Sequence, residues 1–348
     1  MKKYDSIDLV KFIAAIFIVL MHADLFFDIY ETCPYPYEFF CHGIARLGVP
    51  FFFVSTAFFY FRKPLTWDGT KKYCKRLLIL YAAWFVIYLP KTIFDRIITS
   101  PYSLGESIFR LVRAFFVTST FSGSWFIVSC VFCALLYYLI SKLNKKTVTI
   151  VTIVISIVSY VWFTFTSAYG ALMGDIGIKE LYDKYELIFA KPYMSFLVGI
   201  PYFAVGKYFA EVYRGEHRYN YSKNRSIVLS FLPFVLLMIE VYCCYKYNLR
   251  QSTDCYIMLL PCICAVFPLI LNWNIELKNA KYLRISSTII FFSQFYFLFA
   301  VEAAEKVFNT AIPYYIKSAF TLVMVLLTSW LVIMLQDKKG FHWLKYLY

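Results

Sequence analysis

The stretch IDLVKFIAAIFIVLMH, residues 7–22, is almost wholly apolar, yet it carries Asp8, Lys11 and His22. Its length and composition make it the first of a series of membrane-crossing helices. At about 100° per residue, the eleven residues from Lys11 to His22 return the helix to within about 20° of the same face. Asp8 lies one turn before Lys11 on that side. A single stripe therefore carries an acid and a base at one end and an imidazole roughly 16 Å further along. Asp8 and Lys11 read equally well as interfacial charges. His22 does not, because an ionisable group inside a membrane is expensive and faces a cavity or a pathway.

The rest of the chain agrees with this start. Of 348 residues, 61% are hydrophobic and 16% charged, whereas a soluble domain carries about 25% charged residues. Apolar blocks recur near 7–27, 44–61, 77–94, 124–141, 147–166, 192–210, 226–245, 255–272, 284–302 and 315–335. We therefore expect an all-α, polytopic transmembrane bundle of about ten spans, with residues 1–348 forming a single transmembrane domain and no soluble domain. With the N-terminus inside, 23 of the 35 Lys and Arg residues fall on the cytoplasmic side. Both termini are thus expected to be cytoplasmic. The same asymmetry explains the +14 formal charge without a nucleic-acid partner; the partner it implies is the lipid bilayer. No small-residue cleavage pattern follows the first span, so it is expected to be retained rather than removed as a signal peptide.

The segments outside the spans add little chemistry. In SIFRLVRAFFVTSTF, Phe109, Val112, Phe116 and Val117 share a helical face, as expected of a helix lying along the membrane surface. The stretch GDIGIKELYDKYE in the 167–191 loop reads as a solvated helix. Cys130 and Cys133 form a CxxC in mid-span without nearby histidines, which is the pattern of buried small side chains rather than a metal site. Cys33 and Cys41 share the first outer loop and are candidates for a disulfide if that side is oxidising. His42 is read as lying at an outer rim, while His217 and His342 fall in cytoplasmic segments.

Other polar residues interrupt the apolar blocks. Arg46 sits at the outer end of the second span, with Ser55 and Thr56 in its middle. The inner segment RKPLTWDGTKKYCKR is the densest basic run and includes Lys72, Lys75 and Arg76. Solvated positive-inside charge explains most of it, but Arg76 abuts LLILYAAWF and is a candidate phosphate ligand. Glu240 within FVLLMIEVYCCY and Gln294 within STIIFFSQFYF are further candidates for substrate contact. A carboxylate in lipid needs a partner or a wet cavity, and no local partner for Glu240 is visible in the sequence.

The order of these features, with GVPFFFVSTAFF, KKYCKRLLILY, GSWFIVSCVFCALLYYL, YFAVGKYF and ISSTIIFFSQ, resembles the acyltransferase-3 family of bacterial membrane proteins over essentially the whole chain. The resemblance implies about ten helices in the bacterial cytoplasmic membrane. It also implies transfer of acetyl or another short acyl group from cytoplasmic acyl-CoA to a hydroxyl of an extracytoplasmic glycan or cell-envelope acceptor. Acyl-CoA is then a co-substrate, and no permanently bound cofactor or metal is expected. The family signature of arginine, ten residues and histidine is met at His22, with Lys11 in place of the arginine. Ser55 matches the serine of the PFFF-x-SG motif, Thr56 replacing its glycine. Arg76 matches the basic motif before the third span, Trp125 and Phe126 match its Trp–Phe pair, and Gln294 stands where many members have a late histidine. A narrower likeness, carried by DCYIMLLPCICAVFPLILNW, Glu240 and RLGVPFFF, is to the membrane domain of vancomycin-resistance serine racemases, associated with serine uptake. With no racemase domain following residue 348, racemisation is not expected to carry over, and transport stays open as the alternative to acyl transfer.

The resemblance implies that Arg76, with Lys75 and Lys72, pairs with the donor's phosphates, Ser55 also lying on the donor's side. His22 then serves as general base toward the acceptor hydroxyl or is itself acylated. Asp8 and Lys11 would set the charge beside the donor, and Arg46, Trp125, Glu240 and Gln294 would contact the acceptor. The rival reading is a membrane transporter of a small polar molecule such as serine, using His22 and Glu240.

Overall fold

The structure, a computed structural model, describes residues 4–117, 119–189, 191–213 and 223–348, the side chains of 116, 117 and 223–230 excepted. The side chains of Phe116 and Val117 of the surface-helix reading, and those of His217 and the basic residues of 214–225, lie outside what is described. All regular structure among the described residues is helical: α1 (Asp5–His22), α2 (Tyr35–Phe61), α3 (Trp67–Ile98), α4 (Leu104–Val117), α5 (Ser124–Ile140), α6 (Lys145–Ala168), α7 (Lys179–Phe189), α8 (Gly199–Val212), α9 (Lys223–Lys246), α10 (Leu259–Asn272), α11 (Ala280–Phe308) and α12 (Tyr314–Leu335). Five of these, α2, α3, α6, α11 and α12, are long and apolar enough to cross a membrane. A sixth span results if the pair Lys179–Met194 and Phe196–Val212, bent by 48°, is taken as one. The helices α5 and α10 are apolar but shorter. This is a helical membrane protein.

Two helices begin well before their apolar blocks, by nine and ten residues. The second starts at Tyr35, so most of the expected 28–43 loop is helical; it passes through a π turn at Glu38–Ile44 and a 3₁₀ turn at Ala45–Leu47. The third starts at Trp67 because the Thr66 hydroxyl accepts the Gly69 N–H at 3.1 Å, an N-cap within the segment read as a loop. The basic run is thereby placed on a helix. Lys72, Lys75 and Arg76, at i, i+3 and i+4, share an exposed face, while Cys74 is buried. All ten cysteines are free, and Cys41 donates its thiol to the Leu25 carbonyl, so Cys33 and Cys41 form no disulfide.

The chain divides into two compact units. The first comprises residues 1–52, 220–248 and 256–348. Within it, α1 and α11 run parallel: Asp8 meets Arg284 near their starts, and His22 meets Phe295 further along. The helix α12 returns antiparallel to α11, joined by Ser329 Oγ–Ser286 Oγ at 2.7 Å and by Lys317–Glu305 at 2.8 Å. The hydroxyl of Ser6 donates to the Ile270 carbonyl at 2.7 Å, tying the start of α1 to the end of α10. Beyond α12, Asp337 is held below the ordinary carboxylate range by its hydrogen bond from Lys345, with Lys281 of α11 adding to the effect. The start of α1 and the end of α12 therefore lie at one end of this unit. Carboxylates secure its turns: Asp28 accepts the N–H groups of Tyr314 and Tyr315, and Asp5 accepts that of Leu277.

The second unit comprises residues 53–219 and 249–255. Its helices pack through small residues and buried hydroxyls, as helices in lipid do. A Cβ on Gly206 of α8 would stand 2.6 Å from the Val54 carbonyl oxygen and 2.9 Å from the Phe58 nitrogen of α2. The Tyr137 hydroxyl donates to the Ile200 carbonyl at 2.8 Å, and Tyr60 pairs with Thr70 at 2.8 Å.

Candidate functional site

The polar stripe of α1 lies in a seam with α11. On α11, Arg284, Phe291 and Phe295 fall at i, i+7 and i+11, again one face of a helix. Two stripes thus run side by side. At one end Arg284 Nη1 stands 3.4 Å from Asp8 Oδ2, and Lys11 and Asp5 both lie close enough for their charges to act on the same carboxylate. The Asp8 side chain is 8% exposed while that of Arg284 is 56% exposed. The second oxygen of Asp8 is buried without a hydrogen-bond partner. At the other end the half-buried His22 imidazole packs on the Phe295 ring, centroids 4.8 Å apart. Helical spacing alone gives the α1 half of this arrangement; in the sequence Arg284 is only one of the 23 basic residues expected on the cytoplasmic side.

Gln294, next to Phe295, is fully buried. Its Nε2 donates to the Phe291 carbonyl at 2.8 Å, and its Oε1 is buried without a partner. Unpaired buried acceptors are rare, and this one is suited to a donor hydroxyl or water.

Where α1 ends, Asp24 and Phe26 take left-handed conformations, φ 55° and 74°. Such values are uncommon outside glycine, and they fold residues 24–37 back over the end of the helix. Glu38, 1% exposed, accepts the Tyr30 hydroxyl at 3.0 Å on one oxygen. Its other oxygen stands 2.8 Å from His42 Nδ1. Burial, with the Glu38 carboxylate beside it, pushes the Tyr30 phenol up to about 12. The Tyr37 hydroxyl donates to Asp24 at 2.8 Å, and its ring meets that of His42 at 4.9 Å. Asp24, Glu38 and the half-buried Arg46 all lie close enough to act electrostatically on Cys41. His42, read from the sequence as a rim residue, is buried; the i, i+4 spacing of Glu38 and His42 was the available signal. The group ties the 24–37 segment to the π turn.

Glu240 has the local partner that its sequence lacks. Its two oxygens accept the N–H groups of Ile257 and Met258, at 2.7 and 2.8 Å, immediately before α10. It therefore acts as a side-chain cap for that helix. Glu240→Ala is expected to cost about 1–2 kcal/mol, since it leaves two backbone donors without this acceptor, and to lower the unfolding temperature of the detergent-solubilised protein. An unchanged temperature would remove the capping role.

The remaining candidates belong to the second unit. Ser55 is fully buried. The rings of Trp125 and Phe126 lie 5.9 and 4.5 Å from that of Phe53. Lys72, Lys75 and Arg76 are exposed. The six candidates Asp8, Lys11, His22, Arg46, Glu240 and Gln294 fall in the first unit, and the five candidates Ser55, Lys72, Lys75, Arg76 and Trp125 in the second.

Comparison with known proteins fits this picture. Two amino-acid racemases of Enterococcus faecalis are similar to the chain, one 21% identical over 279 residues and the other 24% identical over 287. The alignments cover 78% and 79% of this chain but only 36% and 38% of the racemases, so the chain spans less than two-fifths of their length. No solved structure gives a significant match. Residues 4–334 match the family model of the acyltransferase-3 proteins, described as an acyltransferase domain, and the chain belongs to that family.

Proposed function

We propose that this protein is an acyl-CoA-dependent membrane O-acyltransferase. It moves an acetyl or other short acyl group to a hydroxyl of an extracytoplasmic glycan or cell-envelope acceptor. The observation that carries the reading is the α1–α11 seam, with Asp8, Lys11 and Arg284 at one end and His22 on Phe295 at the other. The guanidinium and ammonium of Arg284 and Lys11 suit the donor's phosphates, and an imidazole suits acid–base work on a hydroxyl. His22 takes the acceptor's proton, the oxygen attacks the thioester carbonyl, the C–S bond breaks, and the departing thiolate recovers the proton from His22. Arg76, Lys75 and Lys72 serve as further phosphate ligands, and Ser55 lies on the donor's side. Arg46, Trp125 and Gln294 are assigned to the acceptor. Glu240, committed to capping α10, supports that group rather than leading it.

The reading includes a single transmembrane domain of ten spans in the bacterial cytoplasmic membrane, with both termini inside and the 28–43 segment outside. The shared end of α1 and α12 supports it. An impermeant maleimide is expected to label exposed Cys33 in intact cells, and Cys33→Ser to remove the signal. Labelling that requires permeabilised cells would reverse the orientation.

Lys11 tests the functional reading, because it replaces the family's arginine. In nanodiscs supplied with acetyl-CoA, free thiol release is expected to persist in Lys11→Arg. In Lys11→Met it should fall about tenfold or more, the usual scale for a lost charged contact. Equal rates in all three proteins would make Lys11 an interfacial anchor. The second reading, transport of a small polar solute such as serine, draws on the buried unpartnered Gln294 Oε1 together with His22 and Glu240. It predicts solute uptake with no thiol release.

A further inference from the structure

We infer that α4 lies in the headgroup region of the bilayer with its apolar face toward the lipid, and that Arg96 and Arg113 beside it hold the phosphate of an anionic phospholipid. Such a site would serve an acyltransferase and a transporter alike.

The helix turns its apolar side chains away from the protein. Ser107 and Ala114, seven residues apart on one face, are buried. There the Ser107 hydroxyl donates to that of Ser100 at 3.0 Å, and the helix packs on the π turn Phe94–Ile98 that ends α3. On the opposite face Ile108, Phe109 and Val112 are 47%, 67% and 51% exposed. Burying small residues while exposing branched and aromatic ones is unfavourable in water and favourable against lipid. With 14 residues α4 is too short to cross the bilayer, so it lies along the surface. The π turn exposes Phe94 and Ile98 as well, and it ends a helix long enough to cross.

The two arginines differ from the charges around them. Lys91 pairs with Asp95 at 2.6 Å, Arg110 with Glu106 at 2.8 Å, and on α7 Lys179 with Asp183 and Lys184 with Glu180. Among the described residues Arg96 and Arg113 form no ion pair. Each donates instead to a backbone carbonyl, Arg96 Nη2 to Ser119 at 2.8 Å and Arg113 Nη1 to Leu187 of α7. A carbonyl occupies one of a guanidinium's five donors and leaves its charge in place. Ser119 lies just past the end of α4, so its bond brings Arg96 to the end of the helix whose last turns carry Arg113, and the two charges act on one another. Asp95 also acts on Arg96, but Lys91 already holds it. Glu186 is the remaining acid of α7, and it faces Tyr182 and Tyr193. With the four pairs set aside, Arg96 and Arg113 stand against Glu186 alone, and one positive charge is left uncompensated. A planar fork of N–H donors suits a phosphate. A basic flank beside an apolar face suits an anionic lipid surface.

The experiment uses the full-length protein in nanodiscs of mixed phosphatidylcholine and phosphatidylglycerol. Lipid that stays with the protein on extraction is counted by native mass spectrometry for wild type, Arg113→Gln, Arg96→Gln/Arg113→Gln and Arg96→Lys/Arg113→Lys. Each lost charge is expected to lower the preference for phosphatidylglycerol by about fivefold, while the double lysine variant keeps most of it. The seat in lipid is read separately, from a spin label on Phe109→Cys with the exposed thiols removed as Cys33→Ser and Cys264→Ser. Oxygen, which partitions into lipid, should relax that label more than a water-soluble nickel chelate does. An unchanged preference in a folded Arg96→Gln/Arg113→Gln protein would overturn the headgroup site. If that protein does not fold, an unchanged preference in Arg113→Gln overturns it. Stronger relaxation by the nickel chelate puts the apolar face in water and overturns the seat. Retained phosphatidylglycerol with lost binding of an anionic envelope glycan gives the arginines to an acceptor and equally overturns the site. Thiol release from acetyl-CoA decides the acyl-CoA reading whichever of these results is found.

Discussion

His22→Ala is expected to lose acyl transfer by about 10²–10⁴-fold, the range for removing a positioned general base, with CoA affinity near wild type. The split follows from its place in the seam. The imidazole stands at the opposite end from Asp8, Lys11 and Arg284, so its removal leaves the phosphate end untouched. It is only half-buried, so truncation opens little core volume and the protein should stay folded. A structural role would give the reverse pattern, a lower unfolding temperature with turnover per folded molecule preserved. Full turnover in His22→Ala would remove the residue from the mechanism. Equal loss of CoA binding and turnover would move it to the donor's binding surface.

The largest stability effect is expected at Gly206→Val. The new Cβ would meet the Val54 carbonyl oxygen at 2.6 Å, the Ala57 Cβ at 2.5 Å and the Phe58 nitrogen at 2.9 Å. Two of these are backbone atoms of a helix and cannot swing aside as a long side chain can. The helices α2 and α8 must separate, and overpacking of this kind costs about 1–3 kcal/mol or more. Packing carries much of the helix association in lipid, so unfolding in detergent should begin at a clearly lower temperature. Gly105→Ala is the control, because nothing lies within 4 Å of its added Cβ. It should be neutral or slightly stabilising, as alanine is the better helix former. Indistinguishable unfolding of Gly206→Val and wild type would mean that the close approach of α2 and α8 is absent.

Some of this was legible in the sequence, and the boundary has physical causes. Asp8, Lys11 and His22 share a face because helical period alone determines it, so the stripe was readable from one segment. Apolar blocks likewise located helices, although Thr66 extended α3 back through the basic run, where hydropathy reports only solvation. Arg284 was not readable as a partner of Asp8: they are separated by 276 residues, and local pattern says nothing of which helices pair. Glu240 shows the same limit, since its partners are backbone N–H groups of Ile257 and Met258, which no side-chain motif reveals. Glu38 and His42 were adjacent enough to be noticed. The sequence places His42 at the outer rim, just before the 44–61 block, but does not show that the π turn and the 24–37 segment bury it together with Glu38.

The central claim is tested most directly in proteoliposomes with acetyl-labelled acetyl-CoA on the face that carries the termini and a cell-envelope glycan extract on the other. The account predicts His22-dependent loss of the label from the thioester, release of free CoA thiol on the first face, and alkali-labile acetyl ester on the glycan at the second. Intact acetyl-CoA, with the protein instead accumulating serine across the bilayer, would contradict it.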